Sequence, residues 1–421
     1  MTASTATATS DPIETLRAQI RALLTYPKGA RQIDEATGAM TYVKPPHSYP
    51  TNLQKILGRD PAFYLHLGHN LLTDVITWDG KPLTDSLEVG INLQVETFYN
   101  FHTPTAKLHE MVDLVARSHP YHPIREWLDG LVWDGVSRID ELLSRYAGAA
   151  DTALHRSISR RFMLGAIARI YDPGCQLDTT LILVGAQGAM KSSFFRSLCK
   201  DPEWFCDTAL DLHSKDAFQA LQGVWLYEVA ELAALRGRDA EATKAFLTSR
   251  ADRYRPPYGR NIIRTMRQCV FVGTTNEAEF LDDPTGARRF WPITVGTIGI
   301  DALKADRDQL WAEVVELRKT GKGDLTWHLD SAEVAELTGA QKQYQRADPW
   351  QDEVAEWLAG QMAPVTVREA LTDALKIEAR DQTKAAVMRC AGILAACGLV
   401  KRRQSIKGEQ VWRWSKPEAA S

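Results

Sequence analysis

The sequence predicts an α/β fold in which a parallel sheet is covered by helices. A mainly helical region precedes the sheet, and helices with a terminal hairpin follow it. Three observations predict this. Short apolar runs of strand length recur at "TLILVG", "VWLYEV" (224–229) and "CVFVGTTN" (269–276), separated by helical or basic stretches; such alternation builds parallel sheets with helical cover. The first run opens into "GAQGAMKSS", a glycine-rich turn followed by a helical pattern. Past "TGKGDLTW" the composition changes to amphipathic helices and then a basic hairpin.

The chain has 421 residues, 44% hydrophobic and 24% charged, with a formal net charge of -3. That is room for two or three domains, each with its own core. The near-neutral balance excludes a polyanion binder built on global charge, so any such affinity must come from local clusters. The six cysteines form no CxxC pair, which predicts reduced thiols. In "HPYHP", His119 and His122 have no Cys or carboxylate at ligand spacing and read as a structural turn. The N-terminus lacks a basic segment followed by an apolar core, and no window approaches the ~20 apolar residues of a membrane span. The expectation is a cytoplasmic protein with no membrane contact.

In chain order, residues 1–30 read as a flexible N-terminus whose start is rich in Thr, Ala and Ser. Residues 31–148 read as a mainly helical domain with Pro and Gly punctuation, suited to assembly or DNA entry. Its two "WDG" triplets, at Trp78 and Trp133, read as turns with a packed Trp. Residues 149–346 form the sheet domain. It opens with helical spacing over 151–171, broken by "DPGCQLDT". Residues 347–421 hold three helical patterns, then "LVKRRQ", "SIKGEQ" and "VWRWSK" as strand, turn and strand, which predicts a winged-helix-like shape.

A strand, a glycine-rich turn and a helix beginning Lys-Ser gather backbone N–H groups around one point, with the helix N-terminus adding partial positive charge. Gly185, Ala186, Gln187, Gly188, Ala189, Met190, Lys191, Ser192 and Ser193 are therefore the expected phosphate loop of an ATP site. Lys191 reaches the terminal phosphates and Ser192 offers a hydroxyl to Mg²⁺. Met190 stands where the strict pattern has glycine. Gly188 can supply the permissive backbone, and a methionine at positive φ costs only about 1 kcal/mol.

Downstream, "VWLYE" ends in Glu228, with Glu231 three residues on. Acids at the end of a second parallel strand hold Mg²⁺ and orient the attacking water; here the two roles are interchangeable. Asn276, closing "VFVGTTN", can hydrogen-bond a γ-phosphate or the water. Arg288 and Arg289 follow before an apolar run, and arginine suits the charge spread over transferring phosphoryl oxygens. Their alternative is ion pairing with Asp282 and Asp283. This order of lysine, carboxylate, asparagine and arginine predicts an ATP hydrolase with ATP and Mg²⁺ as cofactors.

From residue 244 to 267 lie Lys244, Arg250, Arg253, Arg255, Arg260, Arg264 and Arg267 against one acid, Asp252, with Tyr254 and Tyr258 interleaved around a "PPYG" turn. Cations with aromatic residues on an exposed hairpin suit single-stranded DNA. The alternatives are a solvated face or contacts to a neighbouring subunit's ATP. A second basic surface lies in the C-terminal hairpin, at Lys401, Arg402 and Arg403 with Lys407 and Arg413 beside Trp412 and Trp414.

Together "HPIREWLDGLVWDGVSRIDELL", "DTTLILVGAQGAMKSSFFRSL", "VWLYEVAELAAL", "DRYRPPYG" and "FVGTTNEAEFLDDPTGARRFWPI" resemble the virulence-associated protein E family. Those proteins occur in phages, prophages and mobile islands and are similar to superfamily 3 helicases of the AAA+ class. The resemblance covers about residues 50–300 well and the C-terminal region more loosely. It implies an AAA+-type P-loop core and a ring, expected as a hexamer, that unwinds DNA during replication of a phage or mobile element. Family loops read Gly-x-Gln-Gly-x-x-Lys-Ser, matched here at Gly185, Gln187, Gly188, Lys191 and Ser192. It further implies that Arg288 or Arg289 completes a neighbour's site and that the 250–267 hairpin faces the pore. A DNA-binding initiator or loader that uses ATP as an assembly switch is the alternative; a small-molecule kinase would have no use for the basic hairpin. The residues before 120 show no polymerase-like acid pair, so no primase activity is expected.

Overall fold

The structure is a computed structural model that describes residues 11–35, 37–38, 40–209, 217–230, 245–255, 262–281, 289–321, 323–345, 348–406 and 409–416. The chain divides into two units, one of Met1–Ala278 with Thr285–Gln341 and one of Glu279–Pro284 with Lys342–Ser421.

The first unit begins with the Pro12–Leu23 helix, whose Asp11 side chain caps Ile13 N and whose Pro12 occupies the first turn. Its Ile20 joins Leu53, Phe63, Val95 and Leu108 in a local core. The region is not only helical, as its sequence pattern suggests. It carries a two-stranded ribbon, β1 (Arg31–Ile33) with β2 (Met40–Tyr42), and four further strands, β3 (Leu67–Asn70), β4 (Val75–Trp78), β5 (Lys81–Pro82) and β6 (Pro120–Tyr121), ordered β5-β4-β3-β6. Strands of two to four residues are too short to print alternation on a sequence. The first "WDG" triplet is the β4–β5 turn, where Asp79 (φ 51) and Gly80 (φ 77) both take left-handed backbone, as a tight hairpin requires.

The Ala153–Tyr171 helix is buried around its whole circumference from Phe162 to Ile170 and lies inside the main core. The strands that follow are β7 (Thr180–Val184), β8 (Phe205–Cys206), β9 (Leu226–Ala230), β10 (Ala251–Tyr254), β11 (Ile263–Met266), β12 (Val270–Thr275) and β13 (Phe290–Thr294). Five of them form one sheet, ordered β13-β7-β12-β9-β8, and every pairing in it is parallel. β10 and β11 stand outside it as an antiparallel hairpin between β9 and β12. Trp225, Trp311 and Phe195 fill the space between sheet and helices. The Ile300–Thr320 helix presents the buried Glu313 carboxylate to Ser137 Oγ (2.6 Å), Arg138 N (2.6 Å) and Ile139 N (3.1 Å), which fixes the segment after the second "WDG".

The second unit packs the Pro349–Ala359 and Lys384–Ala396 helices around Val354, Leu371, Cys390, Leu394 and Trp414. Thr366 and Glu369 form a reciprocal capping box at the short helix between them. An antiparallel pair, β14 (Val400–Ile406) and β15 (Glu409–Ser415), completes it, and Val365 bridges to Trp414 as a partial third strand. All six cysteines are free, and no helix among the described residues is long and apolar enough to cross a membrane.

Candidate nucleotide site and basic surfaces

The carboxyl ends of β7, β12 and β9 lie side by side, and at such ends open α/β sheets place their ligands. β7 runs into Gly185, whose N–H donates to Thr275 O at 3.2 Å, tying the loop to the end of β12. A Cβ on Gly185 would sit 3.0 Å from Val295 Cγ2, so a larger residue requires the Val295 side chain to give way. Gly188 takes φ 81, as its role in the turn demands, while Met190 takes φ 61 and ψ 27 directly before the Lys191–Leu198 helix and is 57% exposed. Phe194, Phe195 and Leu198 lock that helix onto the core, leaving its first turn at the mouth of a cleft lined by Gly188, Met190, Lys191, Ser192, Glu228 and Asn276.

Lys191 Nζ donates to Gly185 O (2.8 Å), Ala186 O (2.8 Å) and Asn276 Oδ1 (2.7 Å). Burial lowers its ammonium below the ordinary lysine range, a fall that the Glu228 charge opposes. Glu228 lies in the middle of β9 and not at its end, opposite Val272 of β12. Its side chain is only 2% exposed; Oε1 accepts from Ser192 Oγ at 2.8 Å and from Thr274 Oγ1. Among the described residues, Oε2 has no hydrogen-bond partner, and a buried carboxylate oxygen without a partner is costly. A hydroxyl and a carboxylate are the hard oxygen donors that Mg²⁺ takes, so this pair fits the ion and the loop fits a phosphate. Thr274, which the sequence reading missed, belongs to this group; its signal was its place two residues before Asn276 on a strand already read.

A model of the Virulence-associated protein E-like domain matches residues 128–346, just over half of the chain. The chain belongs to the virulence-associated protein E-like family. The matched span of this family member contains every residue of the cleft. No curated protein matches the chain. Among solved structures it is similar to an apo structure of the NrS-1 C-terminal region, with 12% identity, TM-score 0.45 and coverage of 83% of this chain and 95% of that one. An A-form apo structure of the same region shows 13% identity, TM-score 0.41 and coverage of 69% and 77%.

In this virulence-associated protein E-like chain Arg289 lies at the opposite end of the sheet. Phe290, next to it, pairs with Thr180 at the start of β7, about 16 Å of strand away from Gly185 at the rise of an extended chain. Among the described residues its Nε is buried without a hydrogen-bond partner. Arg288, Glu231, Lys244, Tyr258 and Arg260 lie outside the described residues.

The basic hairpin divides into two faces. Arg253 stands directly across from Arg264, and both are exposed together with Arg255 and Arg250. Arg250 is anchored at its base, donating to Gly174 O at 2.7 Å. Arg267 and Asp252 form a buried ion pair, with Arg267 also donating to Phe246 O, so the sequence count overstated the exposed charge. Tyr254 is buried as well and turns its hydroxyl to Gln222, which removes it from any stacking role. The hairpin is fixed at its foot: Gln268 joins His122 Nε2 (2.7 Å) to Leu71 O (3.0 Å).

In the second unit Lys401 and Arg403 sit over the half-exposed Trp412 ring at 4.8 and 5.1 Å. Arg402, also exposed, lies across from Arg413. Arg413 is occupied structurally, donating to Pro364 O at 2.6 Å, and Trp414 is in the core. Lys407 lies outside the described residues.

Proposed function

We propose that this chain is an ATP-dependent DNA helicase of the superfamily 3 type, with an AAA+-type P-loop core, acting as a ring in the replication of a phage, prophage or mobile element. The observation that carries this is the convergence of Lys191, Ser192, Glu228 and Asn276 in one cleft, together with the opposed exposed arginines of the β10–β11 hairpin. Bound Mg²⁺ would neutralise phosphate charge during γ-phosphoryl transfer. Lys191 holds the terminal phosphates, Ser192 and Glu228 hold the ion, and Asn276 reports the γ-phosphate. Glu231 orients the attacking water, in a role that Glu228 can share.

Arg289 is separated from its own loop by the length of β7, which favours service to a neighbouring subunit's site by it or by Arg288. The ring, taken as a hexamer, then hydrolyses ATP only when assembled. Arg253, Arg255 and Arg264 grip the backbone of a single strand in the pore. The second unit, read as a winged helix, meets DNA through Lys401, Arg402 and Arg403.

ATP turnover with and without single-stranded DNA, in the native chain and in Lys191→Ala, tests this. Strong stimulation that the substitution abolishes supports the motor; turnover indifferent to DNA sinks it. The strained Met190 favours one second reading, an ATP-switched initiator or loader. That reading expects ATP-dependent assembly on DNA without strand displacement.

A further inference from the structure

We propose that the β1–β2 ribbon and the Tyr26 segment beneath it form a second binding surface for single-stranded nucleic acid, separate from the hairpin and the C-terminal wing. It shares with the function proposed above only the nucleic-acid partner. The register pairs Arg31 with Tyr42 and Ile33 with Met40, so these four side chains stand on one face of the ribbon. Tyr26 and Tyr42 are stacked with centroids 4.4 Å apart, and the Arg31 guanidinium lies 5.8 and 6.0 Å from the two rings. Lys44 Nζ donates to Lys28 O at 3.2 Å, which sets the Lys44 ammonium against the turn after Tyr26, and Lys28 and Lys44 are both exposed.

Tyr26 backs the Tyr42 ring and Arg31 donates to Ala22 O and Leu24 O at 3.4 and 3.5 Å, while the far end of the face is open. Ile33 is 67% exposed and Met40 52%, and a two-stranded ribbon without cover gains little from standing alone. The nearest carboxylate in sequence, Asp34, is turned to the ribbon's end, where it accepts from Thr37 N at 2.9 Å. A half-exposed aromatic pair with apolar neighbours and Arg31 on one face, and the exposed Lys28 and Lys44 at the turn beside it, match the stacking and phosphate contacts of an unpaired strand. A duplex, whose bases are already stacked, would use only the charges.

The test is fluorescence anisotropy of a labelled oligothymidylate against the full chain at several salt concentrations. The chains compared are the native one, Lys28→Ala with Lys44→Ala, and Arg31→Ala with Tyr42→Ala. Lys28, Arg31 and Lys44 are exposed and Tyr42 is half-buried, and thermal unfolding checks that each variant folds. We expect binding weakened about tenfold in each pair and, for the lysine pair, a salt slope smaller by about 1.4, at ~0.7 per lost phosphate contact. Photocrosslinking of an iodouracil-substituted oligonucleotide should map to Tyr26 or Tyr42. Native affinity and slope in both folded pairs, with crosslinks only elsewhere, overturns the proposal. So does loss of self-association in those variants with DNA binding intact, which would make the ribbon a contact between copies. A hairpin variant, Arg253→Glu with Arg264→Glu, separates the two readings. If it keeps the Tyr42 crosslink, the ribbon binds whether or not the hairpin does; if it loses all binding while the ribbon variants bind normally, only the ribbon proposal falls.

Discussion

Lys191 Nζ lies 2.7 Å from Asn276 Oδ1, and the Gly185 and Ala186 carbonyls take its other two directions at 2.8 Å each. An ammonium has three donors and no acceptor, so all three are committed to neutral oxygens of the chain. A phosphate entering the cleft must take over at least one of them. Asn276 is the side-chain partner, able to rotate away where the two carbonyls are fixed in the loop, and it is the one a γ-phosphate displaces at least cost.

Lys191→Ala should therefore weaken nucleotide binding about 10- to 100-fold, the worth of a charge-assisted hydrogen bond of ~1.5–3 kcal/mol. Asn276→Ala should leave binding near native and lower turnover instead. Calorimetry with a non-hydrolysable ATP analogue, set beside turnover rates, separates the two. Equal losses in both quantities for Asn276→Ala would refute its role as a sensor.

Met190 holds left-handed backbone at φ 61, which costs a non-glycine residue roughly 1–2 kcal/mol. A β-branched residue tolerates that region worse, and glycine tolerates it freely but loosens the unfolded chain. Thermal unfolding should rank Met190→Gly at or above native and Met190→Val below it. Nucleotide affinity should follow the same order, because the loop's shape precedes the phosphate.

Arg253 and Arg264 repel each other across the hairpin. Replacing either with Ala should leave stability unchanged or slightly higher, and should lower the salt slope of single-stranded DNA binding by about 0.7. Arg267→Ala should do the reverse. It strands the buried Asp252 carboxylate, a loss of about 3–5 kcal/mol, visible as a lower Tm. Equal effects of Arg264→Ala and Arg267→Ala on DNA binding with no loss of stability would refute this division of the hairpin.

His122 is buried, caps the Pro123–Asp129 helix through Nδ1 and meets Gln268 through Nε2. Burial holds its pKa below the ordinary 6.5, partly offset by the Gln268 hydrogen bond. The unfolded chain therefore takes up the proton first, and stability present above about pH 6.5 is lost progressively as the pH falls through the folded value. Between pH 7.5 and 5.5 the native chain should lose more Tm than His122→Asn, whose side chain can still cap the helix. Parallel losses would show that this imidazole does not govern the acid limb.

The apolar runs of β7 and β12 announced themselves because both faces of each strand are buried, leaving no polar residue to interrupt them. The Gly185–Ser193 loop was legible for a similar reason, since turn, helix start and lysine are contiguous. Glu228 was legible as a residue but not in its partners. Ser192 and Thr274 reach it only because β12 is inserted between β7 and β9, and no window of sequence encodes that order. The arginine run likewise does not say which member turns inward; only the fold encloses Arg267 between Asp252 and Phe246.

By itself, then, the sequence determined the main strands and helices from residue 151 onward and the chemistry available at the loop, while the short strands before residue 122 left no such mark. Both rest on local properties: backbone propensity, hydrophobic period and the conformational freedom of single residues. Only the tertiary structure decided which strand ends meet, that Glu228 sits inside β9, and that Arg289 stands a strand's length from its own loop. Those outcomes depend on long-range pairing, whose loop-closure cost and packing gain belong to the whole chain.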